Sequence, residues 1–211
     1  MIDWQQLFLF ELILMRMSGF ILFNPLLGRN NLPGTVKAGL IMVLSVSVFG
    51  LEPALTVEAP SNIIVFALIM CKELGVGFVL GFVMRLFFMV IQVGGEIIDT
   101  QMGITMAQIY DAGNQSNMTV SASLLNILLV LNFFGENGHY TLMRLLESSG
   151  ELLPYGAAVF GQATASYVAE LFFTCMILAV KLALPILAAE VLGEIGMGIL
   201  MKAIPQINAF V

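Results

Sequence analysis

The sequence predicts an all-α integral membrane protein built from long, tilted and broken helical hairpins, and three observations lead there. Of the 211 residues, 59% are hydrophobic and only 10% charged, against roughly a quarter charged in a soluble domain. The apolar residues fall into runs long enough to cross a bilayer core of about 30 Å. Between the runs lie short clusters of glycine, proline, asparagine and charge, which mark turns. A mean hydropathy of +0.98 agrees. The net charge of −6, from 8 basic and 14 acidic residues, gives no basic face and so excludes nucleic acid as a partner.

Taken in order, segment one runs from Gln5 to Leu27, carries Glu11 and Arg16 in its interior, and is bent or ended by Asn24-Pro25. Charges at that depth face protein or water. Lacking a basic stretch before it or a small-residue cleavage site after it, this segment is expected to be retained and not to act as a signal peptide. The turn cluster Gly28-Arg29-Asn30-Asn31-Leu32-Pro33-Gly34 leads to segment two, Val36 to Leu51, and an acidic, proline-bearing loop follows it. Segment three, Ile63 to Val93, exceeds one upright span and contains Lys72, Glu73 and Arg85, so it either tilts steeply or is two stacked pieces. Inside it Gly77-Phe78-Val79-Leu80-Gly81 offers a small-residue face for close helix packing.

The interval from Gly94 to Asn117 is the longest polar, glycine-bearing stretch, and it is the candidate functional site. Irregular backbone at membrane depth is tolerated only where protein buries it or where it lines a watery cavity. Segment four is Met118 to Phe134, and a short amphipathic piece runs from Tyr140 to Ser148 with a loop around Gly150 to Pro154. Segment five, Ala157 to about Pro185, contains Glu170 and Lys181, and a last apolar run covers Ile186 to Ile204. The chain reads as one helical unit, 1–211, with amino-terminal helices over 1–93, the central loop over 94–117 and carboxy-terminal helices over 118–211. By the positive-inside rule Arg29 and Lys37 place the first loop in the cytoplasm and the amino terminus in the periplasm.

Enzyme chemistry is not expected, and neither a cofactor nor a metal is implied. His139 is the single histidine, and the serine elbow, phosphate loop, HExxH and dinucleotide turn are all missing. Beside Gly138, His139 suits a turn or helix start better than acid–base work. Cys71 and Cys175 sit in apolar segments and read as small buried thiols, without disulfide or zinc spacing. The intramembrane charges Glu11, Arg16, Lys72, Glu73, Arg85, Glu170 and Lys181 are spread over the long segments, which favours pairing between helices over one ion pathway. In a transporter, Asp99, Asp111 or Glu170 would be the coupling group, and Glu170 with Lys181 would form an intramembrane pair.

Five stretches, in order along the whole chain, resemble the FliR/SctT family of type III export apparatus subunits. They are Gly28 to Pro33, Gly81 to Arg85, Gly95 to Gly103, Asn132 to His139 and Ala203 to Phe210. The family's motif positions fall on Gly28, Arg29, Asn30, Pro33, Arg85, Asp99, Gln101, Gly103, Gly138, His139, Pro205, Gln206 and Asn208. The resemblance implies a fusion of FliP-like and FliQ-like folds, assembled with FliP, FliQ and FlhB into a gate for unfolded flagellar polypeptides. The gate belongs to the bacterial inner membrane and protrudes toward the periplasm; the virulence injectisome subunit is the homologous alternative. It further implies a pore plug here over Ile104, Thr105, Met106, Ala107, Gln108, Ile109, Tyr110, Asp111, Ala112, Gly113, Asn114, Gln115, Ser116 and Asn117. Two departures stand out: relatives commonly have Asp-Pro where this chain has Asp111-Ala112, and they continue past Pro205-Gln206-Ile207-Asn208, so a shortened chain is expected.

Overall fold

A computed structural model describes residues 4–51, 57, 59–111 and 116–203. Six helices and one hairpin make up these residues: α1 (Trp4–Phe23), α2 (Gly34–Leu51), α3 (Ile63–Gln101), β1 (Gln108–Asp111), β2 (Ser116–Thr119), α4 (Val120–Gly135), α5 (Gly138–Leu152) and α6 (Gln162–Ala203). The protein is all-α apart from that hairpin. Four helices, α1, α2, α3 and α6, are long and apolar enough to cross a membrane, and α4 with α5 forms a fifth candidate bent by 69°.

Two expected breaks are absent. Segment three does not end at Val93 or divide; α3 continues through Gly94-Gly95 to Gln101 as a single 39-residue helix. Glycine pairs weaken a helix in water, but in apolar surroundings nothing competes for the backbone hydrogen bonds and a missing side chain becomes a notch for a neighbour. The neighbour here is α4: a Cβ on Gly95 would lie 2.4 Å from Ala122 Cα. Likewise α6 runs unbroken for 42 residues with Pro185 inside it, a residue that spanning helices tolerate where local adjustments satisfy the freed carbonyl. The amphipathic piece is also longer than expected, since α5 absorbs Gly150 to Leu152.

The helix starts and stops follow local chemistry. Asn62 Oδ1 accepts from Ile64 N at 2.9 Å and caps α3. Gly103, at φ +71°, turns the chain out of its other end, with Ile104 N donating to Asp99 O at 3.0 Å. After α1, Asn24 Oδ1 accepts from Leu26 N and Leu27 N, and Gly28 N closes back on Asn24 O at 2.8 Å. A Cβ on Gly28 would meet three carbonyl oxygens of residues 21–24 at 2.6–2.8 Å, so this family-motif glycine has a steric reason. Between α4 and α5, Asn137 takes the left-handed conformation at φ 57°.

The core lies between α1 and α3, which run parallel: Phe8 meets Phe66, Arg16 meets Glu73, and Gly81 meets the end of α1. Their closest crossing is backbone to backbone. A Cβ on Gly77 would lie 2.0 Å from Arg16 O, and one on Gly19 would lie 2.3 Å from Leu74 O. The small-residue face expected around Gly77 and Gly81 therefore packs on α1. The outer end of α6 is different, since residues 191–203 are all exposed.

Gly77→Ala is expected to destabilise the protein by about 3 kcal/mol, the upper range for overpacking, because both clashing atoms are backbone. Gly193→Ala, with open space around it, should change stability by no more than about 1 kcal/mol, in the stabilising direction. Thermal unfolding of the two detergent-solubilised variants checks both.

Candidate functional site

The end of α3, the start of α4 and the hairpin between them form one unit. Asp99 lies on the last turn of α3, fully buried, and its carboxylate accepts from Ser121 N at 2.8 Å and from Ser121 Oγ. Those donors are in the first turn of α4, where a helix leaves backbone N–H groups without partners. Asp99 thus acts as a cap supplied by another helix. Alongside it, Gly95 lets Ala122 sit against the α3 backbone. The hairpin's two feet are thereby fixed on a rigid junction.

Between those feet the chain turns through residues 102–107 and forms β1 and β2, antiparallel, with Ile109 opposite Met118 and Tyr110 opposite Asn117. Four residues per strand make a marginal ladder in isolation. Its hold on the helices comes from the inner end of β2, where Met118 and Thr119 are buried. The rest faces outward: Met106 is 96% exposed, Tyr110 63% and Ile109 49%. Of the residues expected to form the pore plug, 104–111, 116 and 117 are described, as turn and strand. Ala112, Gly113, Asn114 and Gln115 lie outside the described residues, as do Pro205, Gln206 and Asn208 of the terminal motif.

The strands were not expected, because the interval reads as an irregular loop. A signal existed: Ile109-Tyr110 and Met118-Thr119, rich in strand formers, flank Gly113-Asn114, a turn pair. The first part of that interval, Gly94 to Gln101, is helix and not irregular backbone. Gln101 is exposed on the last turn of α3.

Beneath the site is a buried ionic node. Arg16 and Glu73, both completely buried, pair at 2.6 Å, and theirs is the one ion pair among the described residues. Arg16 also donates to Ser149 O at 2.9 Å and Leu153 O at 3.0 Å, and its guanidinium stands 4.2 Å from the centre of the Tyr155 ring. The second oxygen of Glu73 accepts from Gly156 N at 2.9 Å. The other intramembrane charges do not pair with one another among the described residues of this chain. Glu170, Lys181, Lys72 and Arg85 are exposed and form no ion pair among the described residues. Glu170 and Lys181 stand 11 residues apart on one helix, about 16 Å of rise, too far to pair.

Cys175 is buried as expected, but Cys71 is exposed on the outward side of α3, and both thiols are free. His139 is the second residue of α5, half-buried, its ring 4.2 Å from that of Tyr140 and 5.7 Å from that of Phe134. A Cβ on Gly138 would strike the Phe133 ring at 2.5 Å. These two motif residues thus shape the sharp bend between α4 and α5. Among the described residues no cluster of three or more His, Cys, Asp or Glu side chains is placed to hold a metal.

Residues 7–211 match the model of the family described as bacterial export proteins, family 1. The chain belongs to that family. It is 28% identical to the flagellar biosynthetic protein FliR of Escherichia coli (strain K12), over all of this chain and 79% of that protein. It is 30% identical to FliR of Pectobacterium carotovorum subsp. carotovorum, with the same coverage. The Yop proteins translocation protein T of Yersinia pestis is 26% identical over 96% of this chain and 78% of its own length. Of the positions expected to carry the family's motif, Gly28, Arg29, Gly103, Gly138 and Asp99 sit at turns, at a bend and at the cap that fixes the hairpin.

Arg16→Met is expected to cost about 3–5 kcal/mol, because it leaves Glu73 buried without a partner. The double variant Arg16→Met, Glu73→Leu should regain most of that loss. A double-mutant cycle by thermal unfolding measures the difference.

Proposed function

We propose that this chain is a non-enzymatic channel subunit of a flagellar type III export gate, in which residues 104–117 plug the lumen. What supports the channel assignment is the match to an export family along nearly the whole chain. What supports the plug is one structural contrast: a short, outward-facing hairpin, held by Met118 and Thr119, mounted on a junction that Asp99 and Gly95 make rigid. A passage for unfolded polypeptide needs a seal with little directional chemistry. Met106, Ile109 and Tyr110 supply soft and aromatic bulk for that seal, and a ladder of four residues per strand is cheap to displace.

In this reading 1–211 works as one unit, with the helices of 1–93 and 118–211 assembling with FliP, FliQ and FlhB in the bacterial inner membrane. The assembly stands toward the periplasm. Membrane lipid and the exported polypeptide are the remaining partners. Asp99 is structural here, since its buried carboxylate is occupied by Ser121. The transporter alternative would require it to be accessible to an ion.

Deleting the gene should reduce swimming and the hook and filament proteins in the medium to background, both restored by the intact gene. Loss of a different set of secreted proteins with normal swimming would assign the chain to an injectisome. Normal secretion throughout would refute the export reading. Removing residues 104–117 while the partner subunits are present should raise ion leakage across the inner membrane, read by a potential-sensitive dye. An assembled complex that stays tight after the deletion would overturn the plug assignment.

A further inference from the structure

Two arginines outside the ionic node line one continuous groove, and nothing in the described chain neutralises either. The groove has two adjoining clefts of about 310 Å³ and 290 Å³ that share Met118 and Asn126. Arg29 lines the first, together with Tyr110 of the hairpin and Ser123 and Ile127 of α4. Arg85 lines the second, together with Phe88 and Gln92 of α3. Arg29 makes one contact, to the neutral carbonyl of Pro25 at 3.3 Å. Arg85 has no hydrogen-bond or ion-pair partner among the described residues. No carboxylate lines either cleft, and the nearby Glu96 is held by Gln92 Nε2 at 3.2 Å.

We infer that this groove is a docking surface for a partner polypeptide that inserts a carboxylate side chain between Arg29 and Arg85. For Arg85, an unneutralised guanidinium on an otherwise apolar helix is costly, and for both arginines the planar guanidinium is best matched by a carboxylate held bidentately. The surroundings decide for protein over lipid. Tyrosine, methionine, phenylalanine and arginine beside the amides of Asn126 and Gln92 make the composition of a protein interface core, whereas acyl chains leave amides unpaired. Because the hairpin's Tyr110 and Met118 form one wall, the docked segment would also clamp the hairpin. The inference deepens the export-gate reading, since it supplies the contact by which a neighbouring subunit holds the plug.

The test is site-specific photo-crosslinking in the native membrane of the full chain carrying Ile127→p-benzoylphenylalanine, with the adduct mapped by mass spectrometry. The expected adduct is a peptide containing Asp or Glu. Its yield should fall at least tenfold in the Arg29→Gln, Arg85→Gln double variant, fall less with lysine at both positions, which keeps the charge but not the bidentate fork, and be unchanged in the control Arg144→Gln, an exposed α5 arginine. Arg85→Glu should lose the adduct and regain it when the mapped acidic residue is changed to lysine. An adduct with phospholipid only, a peptide without a carboxylate, no adduct, or a yield unchanged in the double glutamine variant would each overturn the proposal. If that variant fails to accumulate, the wild-type map and the lysine pair still decide. An acidic peptide mapped in a strain whose gene deletion leaves secretion intact would sink the export reading while the docking surface stands. Normal loss of export on gene deletion, with only lipid crosslinked, would do the reverse.

Discussion

The buried pair of Arg16 and Glu73 sets where everything else in the described chain sits. Two charges without solvent are expensive, and the cost is offset only when every donor and acceptor is used. Here the pair shares its remaining capacity with the carbonyls of Ser149 and Leu153, the N–H of Gly156 and the face of Tyr155. α1, α3, the end of α5 and the turn before α6 are therefore tied at one point. An apolar substitute of equal volume would fill the space without fixing which turn of α1 faces which turn of α3. The node supplies register, and the glycine contacts one turn away depend on it: slide α1 by a residue and Gly19 and Gly77 no longer meet their neighbours' backbone.

From that fixed level the molecule extends in one direction. α1 ends beside Gly81, while α3 continues for 20 more residues, about 30 Å at helical rise, accompanied by α4 and α6. The hairpin is mounted at the far end of this extension. Holding power falls along the same direction, from a saturated ionic node through glycine-notched crossings to a cap, and then to a two-stranded ladder with two buried residues. A four-residue ladder held by two buried side chains is a weaker hold than the node or the crossings, and the cap fixes its feet on the helices.

How much of this the sequence discloses depends on whether a feature is local. Asn62 and Asn24-Pro25 announce helix ends through their own backbone chemistry and are read correctly, whereas Gly103, which closes α3, is passed over for a break at Val93. That α1 and α3 carry charges needing partners is also visible. Which charges pair is not, because Arg16 and Glu73 lie 57 residues apart and Glu11, Lys72 and Arg85 are equally eligible by type. Gly94-Gly95 misleads for a related reason. A glycine pair signals a break when water is the alternative partner, and a crossing when another helix is; only the position of Ala122 distinguishes the two. The hairpin is hidden by its composition, since polar residues near a turn read as loop until strand pairing places Ile109 opposite Met118.

The contrast between the two kinds of charge in this chain carries the last step. Arg16 satisfies all of its needs inside one polypeptide, so its role is complete when the chain folds. Arg29, in the turn after α1, and Arg85, on α3, have no counter-charge among the described residues and line a groove walled by the hairpin's Met118 and Tyr110. A chain that saturates one buried guanidinium so fully does not leave two others open for want of acidic residues, having 14 to draw on. Unsatisfied charge on a groove that the hairpin walls is what a subunit presents when the counter-charge comes from its neighbour. It couples the hairpin's position to whether that neighbour is seated.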